Sequence, residues 1–483
     1  MSFINFSGSY QPPGVYVTQQ TPQVIAVPVT APSTVALVGP TLGYFTNTDV
    51  VTLSTTSTTT LSKKGINLST VVVTDAYNNV YAASGNYTLA QTGTGTATVT
   101  TIEEITASPI GANAVYVSYQ YTDANYYLPY QFSSYTAIQA TYGNPFDANN
   151  NLLSPISLAA QLLYANGSPT VVVMPTTDTG LVATQTGLST AYVALAARND
   201  IDIVIPLPVG ITNATGANSI TGVGTDLKSH CDSMAQQSLW RIGILGYESS
   251  VTTSTLNPGT LPSTGLAPAI ADARVTVAYP NQLSYYYTPN NTTLTVSGYY
   301  LAAALAGVLS GNPVQQGLTR QIINGFSGIP AAMLATFTKA NKNSWSAAGV
   351  SVVEPTSTAQ GSSLVCRQGV TTQVNSTVLR EISLVRAADN MMFNIYDSLL
   401  NSNLIGSPTT TNTPAQIQGL VQGVLDNLVA SGVIVGYSSL NTAVTSNNPT
   451  VVSVTFAYSP SYPLNYIAVS FSVDTSTGNV IPV

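Results

Sequence analysis

The distribution of apolar and polar residues predicts regular structure most clearly between residues 129 and 360. Short, almost wholly apolar runs alternate there with segments of helical periodicity, at the spacing of a strand–helix–strand unit. Strands without polar positions are typical of a parallel sheet that is covered on both faces. The pattern therefore predicts a central α/β region with a parallel sheet. The expected strands are 170–174, 201–205, 241–245 and 274–278, and the expected helices are 154–165, 188–197, 226–239 and 297–309.

A different pattern, dominated by Thr, Ser, Asn and Gly, covers residues 46–128. Val115, Val117 and Tyr119 occupy every second position and therefore share one face of a strand. Turn-forming Asn and Gly residues separate this run from other short alternating runs. Because the regions on both sides have other patterns, we expect a small all-β, sandwich-like insertion domain.

Residues 361–483 predict an α+β domain. Apolar residues at spacings of three and four indicate a long helix over 376–400. A second helix is expected to begin with Thr413 as its cap and to end at Gly432, a residue suited to a left-handed C-terminal cap. Two alternating strands are expected to pair at the end of the chain, over 451–458 and 466–473.

Residues 1–45 predict an extended arm that leads into a strand. Prolines recur through the first 34 residues, and proline excludes a continuous helix. Two strand-like runs lie between them, at 15–18 and 24–29, and a compact apolar strand follows at 34–38.

The charge content is unusually low. Lys and Arg number 12 and Asp and Glu 19, so charged residues make up 6% of the 483-residue chain, against roughly 25% in ordinary soluble domains. The 44% hydrophobic content excludes disorder, and the net charge of −7 argues against nucleic acid as a partner. A surface with so few charges promotes association, which favours the subunit of a polymer. We expect neither a secretory signal nor membrane insertion.

Residues that would support catalysis, a cofactor or a metal are scarce. No phosphate-binding loop of the P-loop type occurs, and Gly222-Val223-Gly224 lacks the rest of a dinucleotide motif. His230 and Cys231 are adjacent on an expected helix, so they do not face each other. Glu103 and Glu104 point to opposite faces of an expected strand, and Asp200 and Asp202 precede a strand instead of following it. We therefore predict no catalytic, cofactor-binding or metal-ligating residues, and no enzyme activity.

The two ends of the chain resemble a known family. Pro13-Gly14-Val15-Tyr16-Val17, followed by Val35-Ala36-Leu37-Val38-Gly39-Pro40, is similar to the N-terminal signature of contractile phage tail sheath proteins. The order of elements in the last third agrees, with the helix that carries Arg380 and Arg386, the run from Leu428 to Tyr437, and the closing strands. The sequence departs from the family at Thr18-Gln19-Gln20, where acidic residues are common.

The resemblance implies a structural role. It implies that the N-terminal strand joins the C-terminal core domain, and that arms from both chain ends add strands to neighbouring subunits. It also implies stacked six-fold rings around a tail tube protein, with baseplate and tail terminator proteins as further partners. The sheath would contract to drive the tube through the host envelope, after synthesis in the host cytoplasm and assembly into the virion tail. The expected arm residues are Val15, Tyr16, Val17, Ile467, Val469 and Phe471.

Arg380, Glu381 and Arg386 are candidates to face the tube, because charges are rare in this region. Ordinary ion pairs inside the domain are the alternative for these residues. For the arm strands, the alternative is that both pair within the monomer. Two other functions remain open: a host-binding tail protein that uses the tyrosine-rich insertion, and an enzyme built on the α/β region.

Overall fold

The computed structural model describes most of the chain between residues 33 and 482. Val15, Tyr16, Val17 and Val469 of the predicted arm strands lie outside the described residues. The described ranges are 33–41, 43–94, 97–105, 110, 114–123, 126–176, 183–208, 220–249, 270–356, 363–465, 467–468, 471–473 and 480–482.

The first strand, β1 (Thr34–Pro40), lies inside the large sheet of the molecule. It pairs in parallel with residues 170–176 on one side and 203–206 on the other, and its apolar side chains are fully buried. The expectation that this strand joins the C-terminal core is therefore wrong. A strand that is apolar on both faces is stable where helices cover both sides of a sheet, which the central region provides.

The insertion folds as predicted, as two small antiparallel sheets around a separate apolar core. A four-stranded sheet has the order β2-β8-β4-β5, and a three-stranded sheet has the order β3-β7-β6. Gly43 is paired with Asp123, so the module begins and ends at adjacent positions. Its strands are β2 (Gly43–Thr52), β3 (Thr59–Lys64), β4 (Val72–Thr74), β5 (Val80–Tyr81), β6 (Tyr87–Thr92), β7 (Val99–Glu104) and β8 (Ala114–Asp123).

The predicted parallel sheet is confirmed in the central region. The strands are β9 (Tyr130–Phe132), β10 (Thr170–Thr176), β11 (Ile203–Pro206), β12 (Ile242–Gly246), β13 (Val275–Tyr279), β14 (Gln282–Tyr287), β15 (Thr292–Ser297), β16 (Ile322–Ile323), β17 (Val350–Pro355) and β18 (Leu364–Cys366). The helices are α1 (Tyr135–Tyr142), α2 (Pro155–Tyr164), α3 (Gln185–Leu195), α4 (Thr225–Gln236), α5 (Tyr300–Gly311), α6 (Ala331–Leu334) and α7 (Lys339–Ala347).

The nine-stranded sheet has the order β16-β18-β17-β13-β12-β11-β1-β10-β9. Strands β10, β1, β11, β12, β13 and β17 are parallel, and antiparallel strands complete both edges. Strand β18 lies beyond the predicted boundary at residue 360 but pairs with β17, so the central region extends past that boundary. The hairpin β14–β15 was not predicted from the apolar pattern.

The C-terminal region contains two helices and two hairpins, which differ from the expected arrangement. Strand β20 pairs with β19, and β21 pairs with β22, so the predicted pairing of 451–458 with 466–473 is wrong. The first helix begins at Ile382 instead of 376, because residues 377–380 form turns and Glu381 pairs with Val370 in a β-bridge. The elements are α8 (Ile382–Leu400), α9 (Thr413–Ala430), β19 (Ile434–Thr445), β20 (Asn448–Pro460), β21 (Phe471–Val473) and β22 (Val480–Pro482).

Among the described residues, none of the helices combines the length and the apolar character that a bilayer-spanning segment needs.

Candidate assembly interface

Helix α8 connects the large sheet with the C-terminal elements. Ile382, in its first turn, belongs to the main apolar core. Further along, Met392 and Ile395 pack with Leu425 of α9 in a second core, which also receives side chains from β19 and β20. One helix therefore contributes to both cores, so a displacement of the C-terminal elements would act directly on the central sheet.

Charged side chains reinforce this junction. Arg274, at the entry to β13, forms an ion pair with Asp389 of α8, and both side chains are almost completely buried. Burial lowers the pKa of Arg274, but the attraction and hydrogen bond of Asp389, with smaller contributions from Cys231 and Asp272, together raise it above its usual value. Burial also raises the pKa of Asp389, although Arg274 and Arg386 counteract that effect. The pair holds α8 against the edge at which the parallel strands begin.

The residues predicted to face a tube are held inside the chain. Glu381 and Arg386 are only 5% and 7% exposed. Burial lowers the pKa of Arg386 to about 10, while Asp202 and Asp389 favour its charged form. The Arg380 guanidinium donates a hydrogen bond to the carbonyl of Ser346, 2.6 Å away. In this conformation Glu381 and Arg386 do not present charge to a partner, and the arrangement fits the alternative of contacts within the domain.

The first described strand and the segment that follows β20 both lie close to the start of α8. The amide of Thr34 donates to the Asp202 carboxylate at 2.7 Å, and Asp202 interacts electrostatically with Arg386. In the segment after β20, the Asn465 side chain donates to Glu381, the residue immediately before α8, at 3.2 Å. The N-terminal and C-terminal segments thus meet the same part of α8.

Of the predicted C-terminal arm residues, two can be placed. Ile467 is 78% exposed, as an arm residue that contacts a partner would be. The strand that contains Phe471, β21, pairs with β22 of the same chain. For this strand the structure therefore shows pairing within the monomer.

The hairpin β19–β20 has unpaired edges. It forms a two-stranded sheet, and neither strand has a further neighbour among the described residues. One face packs on α9 through Leu440 and Phe456, among others, whereas Val435 is 71% exposed. An unpaired edge presents a row of backbone N–H and C=O groups to which another chain can add a strand. Sequence reasoning missed β19, and with it this surface.

The histidine and the two cysteines are buried in the described part of the chain. No cluster of three or more His, Cys, Asp or Glu side chains there is arranged to hold a metal ion. Burial, together with the nearby Arg241, lowers the pKa of His230 to about 4, and its Nε2 lies 2.9 Å from the Arg241 guanidinium. Cys231 and Cys366 are buried, and burial raises the pKa of both thiols.

The fold combines a parallel α/β body, a sandwich-like β insertion and a C-terminal hairpin whose edges are unpaired among the described residues. Comparison with known proteins identifies the family. No protein-family model matches the chain. The chain is 30% identical over 435 residues to a protein of Mycobacterium phage Bxz1 named tail sheath protein, a match that covers 87% of this chain and 70% of the relative. The chain therefore belongs to the tail sheath protein family.

Solved sheath structures share the fold. The contracted helical sheath of the anti-feeding prophage matches with a TM-score of 0.56, at 14% identity, over 96% of this chain and all of that one. The contracted sheath complex of the extracellular contractile injection system PVC gives a TM-score of 0.53 at 12% identity, covering 98% of this chain and 100% of the other. The sheath tail protein Lin1278 of Listeria innocua gives 0.50 at 12% identity, covering 90% and 93%.

Proposed function

We propose that this protein is the structural subunit of a contractile tail sheath and that it polymerises by strand addition to the β19–β20 hairpin. The observation that carries the proposal is the open-edged hairpin, packed on α9, in a chain whose first strand and whose segment after β20 both lie near the start of α8. Strand addition supplies affinity through backbone hydrogen bonds and specificity through alternate side chains. It suits a chain with few charges, because it needs no ion pairs between subunits.

The N-terminal segment is the proposed donor. In the extended conformation that the sequence predicts, Val15 and Val17 would share one face and Tyr16 would lie on the other. An extended segment of about 30 residues spans up to about 100 Å, which is enough to reach an adjacent subunit. Ile467, Val469 and Phe471 are the proposed contacts of the C-terminal segment.

In the assembled sheath, the subunits form stacked six-fold rings around a tail tube in the virion tail, with baseplate and terminator proteins at the ends. Contraction shortens and widens the cylinder as interfaces repack, and it drives the tube through the host envelope. Interfaces between packed bodies switch between discrete arrangements, so energy held in the extended state is sufficient and no nucleotide is consumed.

Electron microscopy of purified protein tests this function. We expect hollow cylinders from the full chain and none after removal of residues 1–20. The double variant V15D/V17D places charge on the strand face that would pack on a neighbour, and it should also block assembly. The matched double variant T18D/Q20D adds the same charge to the opposite face, and cylinders should persist. Assembly of the truncated chain would contradict strand donation by the N-terminal arm.

A second function is favoured by the outer face of the insertion. Val50, Tyr116, Thr74 and Val80 form a continuous row across β2, β8, β4 and β5, and Val50 and Val80 are well exposed. This uncharged row would suit contact with a neutral host surface component. Loss of host attachment without loss of polymer, after deletion of the insertion, would support that role.

A further inference from the structure

We propose that Asn465 and Glu381 form an anchor that fixes where the C-terminal segment leaves the body, and that sheath assembly depends on this contact. The inference rests on the proposed strand-exchange function and names positioning residues for it. The anchor connects the segment after β20 with the N-terminal end of α8.

Both polar atoms of the Asn465 side-chain amide make hydrogen bonds. Its Nδ2 donates to Oε2 of Glu381 at 3.2 Å, and its Oδ1 accepts a hydrogen bond from the Thr319 hydroxyl at 2.7 Å. Pro463, two residues earlier, packs on Gly317, where an added side chain would meet the proline ring at 3.0 Å. Two inward-facing residues, Pro463 and Asn465, therefore fix this extended segment to the body.

The alternate residues of the segment face outward. Leu464 is 76% exposed and Tyr462 60% exposed. Their exposure gives the segment a strand-like alternation, with polar and proline contacts inside and apolar side chains outside. The inner contacts set which residues are presented to a neighbour, because a shift of one residue would reverse the two faces.

Burial of the Glu381 carboxylate is energetically unfavourable. The side chain is 95% buried by area, with 5% exposed, and its Oε1 has no hydrogen-bond partner among the described residues. Its Oε2 accepts from Asn465 and from Gln368, at 3.2 Å and 3.4 Å. A buried carboxylate with one unpartnered oxygen costs stability. Its other oxygen is the acceptor that orients the Asn465 amide, and any side chain with an oxygen at that place can fill this role.

The test reverses which side chain donates and which accepts in the hydrogen bond between residues 465 and 381. N465D places a second carboxylate against Glu381, and like charges at this distance repel. In E381Q/N465D the new amide at 381 donates to the new carboxylate at 465, while Thr319 can still donate to that carboxylate. E381Q alone keeps an acceptor for Asn465. All variants are made in the full chain, and the critical concentration for polymer formation is measured by sedimentation at pH 8.

We expect N465D to raise the critical concentration about tenfold or more, the loss of one hydrogen bond to a charged group. E381Q should assemble nearly as the parent chain does, and E381Q/N465D should recover most of the loss. N149D is the matched control, because Asn149 is an exposed asparagine whose side chain makes no hydrogen bond to another described residue. It should leave assembly unchanged.

Thermal unfolding of the unassembled chains separates anchoring from folding. The parent, N465D and the double variant should unfold within a few degrees of one another. If N465D does not fold, T319V provides the second variant, since it removes only the hydroxyl that donates to Asn465, and it should raise the critical concentration in the same direction.

Normal assembly by N465D or T319V, or no recovery in E381Q/N465D, would overturn the inference. If deletion of residues 1–20 abolishes cylinders while N465D forms them, the anchor alone is refuted. If the truncated chain forms cylinders, the proposed function fails as well.

Discussion

Arg274 and Asp389 form a buried ion pair between the entry to strand β13 and the middle of helix α8. The pair joins the large sheet to the helix that also packs on α9. Buried ion pairs contribute little net stability compared with apolar residues of the same shape, but an unpaired buried charge is strongly destabilising. The pair therefore specifies one docking position for α8.

A pair of substitutions tests this arrangement. R274M leaves Asp389 buried without its partner, so we expect the free energy of unfolding to fall by about 3–5 kcal/mol in urea denaturation. R274M/D389L replaces both charges and should regain most of that loss. Equal stability of R274M and the parent chain would show that the pair is not buried in solution.

Glu381 should give a measurable pH dependence. Burial raises the pKa of Glu381 to about 7, although hydrogen bonds from Gln368 and Asn465 oppose the shift. Because the folded state retains this proton to higher pH than the unfolded state, stability from this group falls as pH rises from about 4.5 to about 7, by on the order of 3 kcal/mol. E381Q should remove that slope and be more stable than the parent at pH 8. Identical pH profiles for the two chains would contradict the burial of Glu381.

The insertion should be dispensable for the fold of the body. Gly43 and Asp123 are paired neighbours, so deletion of residues 44–122 can be closed with a short Gly-Ser linker. The insertion has its own apolar core, separate from the main one. We therefore expect the deleted chain to keep its thermal unfolding temperature within a few degrees and still to form cylinders in electron microscopy. Aggregation or loss of cylinders would show that the insertion contributes to the body or to subunit contacts.

Assembly should depend weakly on salt. The chain has only 12 basic residues, and several of them are committed to ion pairs within the described part, such as Arg274 with Asp389 and Lys342 with Glu354. Few charges remain to be screened between subunits. We expect the pelleted fraction of polymer to change less than about twofold between 50 mM and 1 M NaCl. Dissolution of the polymer in molar salt would instead indicate ionic contacts between subunits.

The sequence pattern was sufficient to predict those strands whose residues are almost all buried. Strands such as β10 and β11 are continuous apolar runs, and their periodicity distinguishes them from the helices between them. Strand β19 was missed because it is largely exposed, carries polar residues at Ser438 and Ser439, and has irregular register beside them. Its pairing with β20 depends on packing against α9, which a local pattern does not contain.

The candidate site was harder to predict than the fold, for a related reason. The sequence left Arg386 either facing a tube or in an ion pair inside the domain, and the structure buries it beside Asp202, 184 positions earlier in the chain. The position of β1 inside the central sheet was likewise missed, because it depends on β10 and β11 as neighbours. Contacts between residues far apart in sequence therefore determine which charges and strand edges remain available.

Helical reconstruction by electron cryomicroscopy, at a resolution that traces the backbone, tests the central claim most directly. The account predicts a cylinder in which a strand from another subunit, traced to residues near Val15–Val17, extends the β19–β20 sheet at an edge. A cylinder in which both edges of that sheet are unpaired, or are completed only by the same chain, would contradict assembly by strand addition.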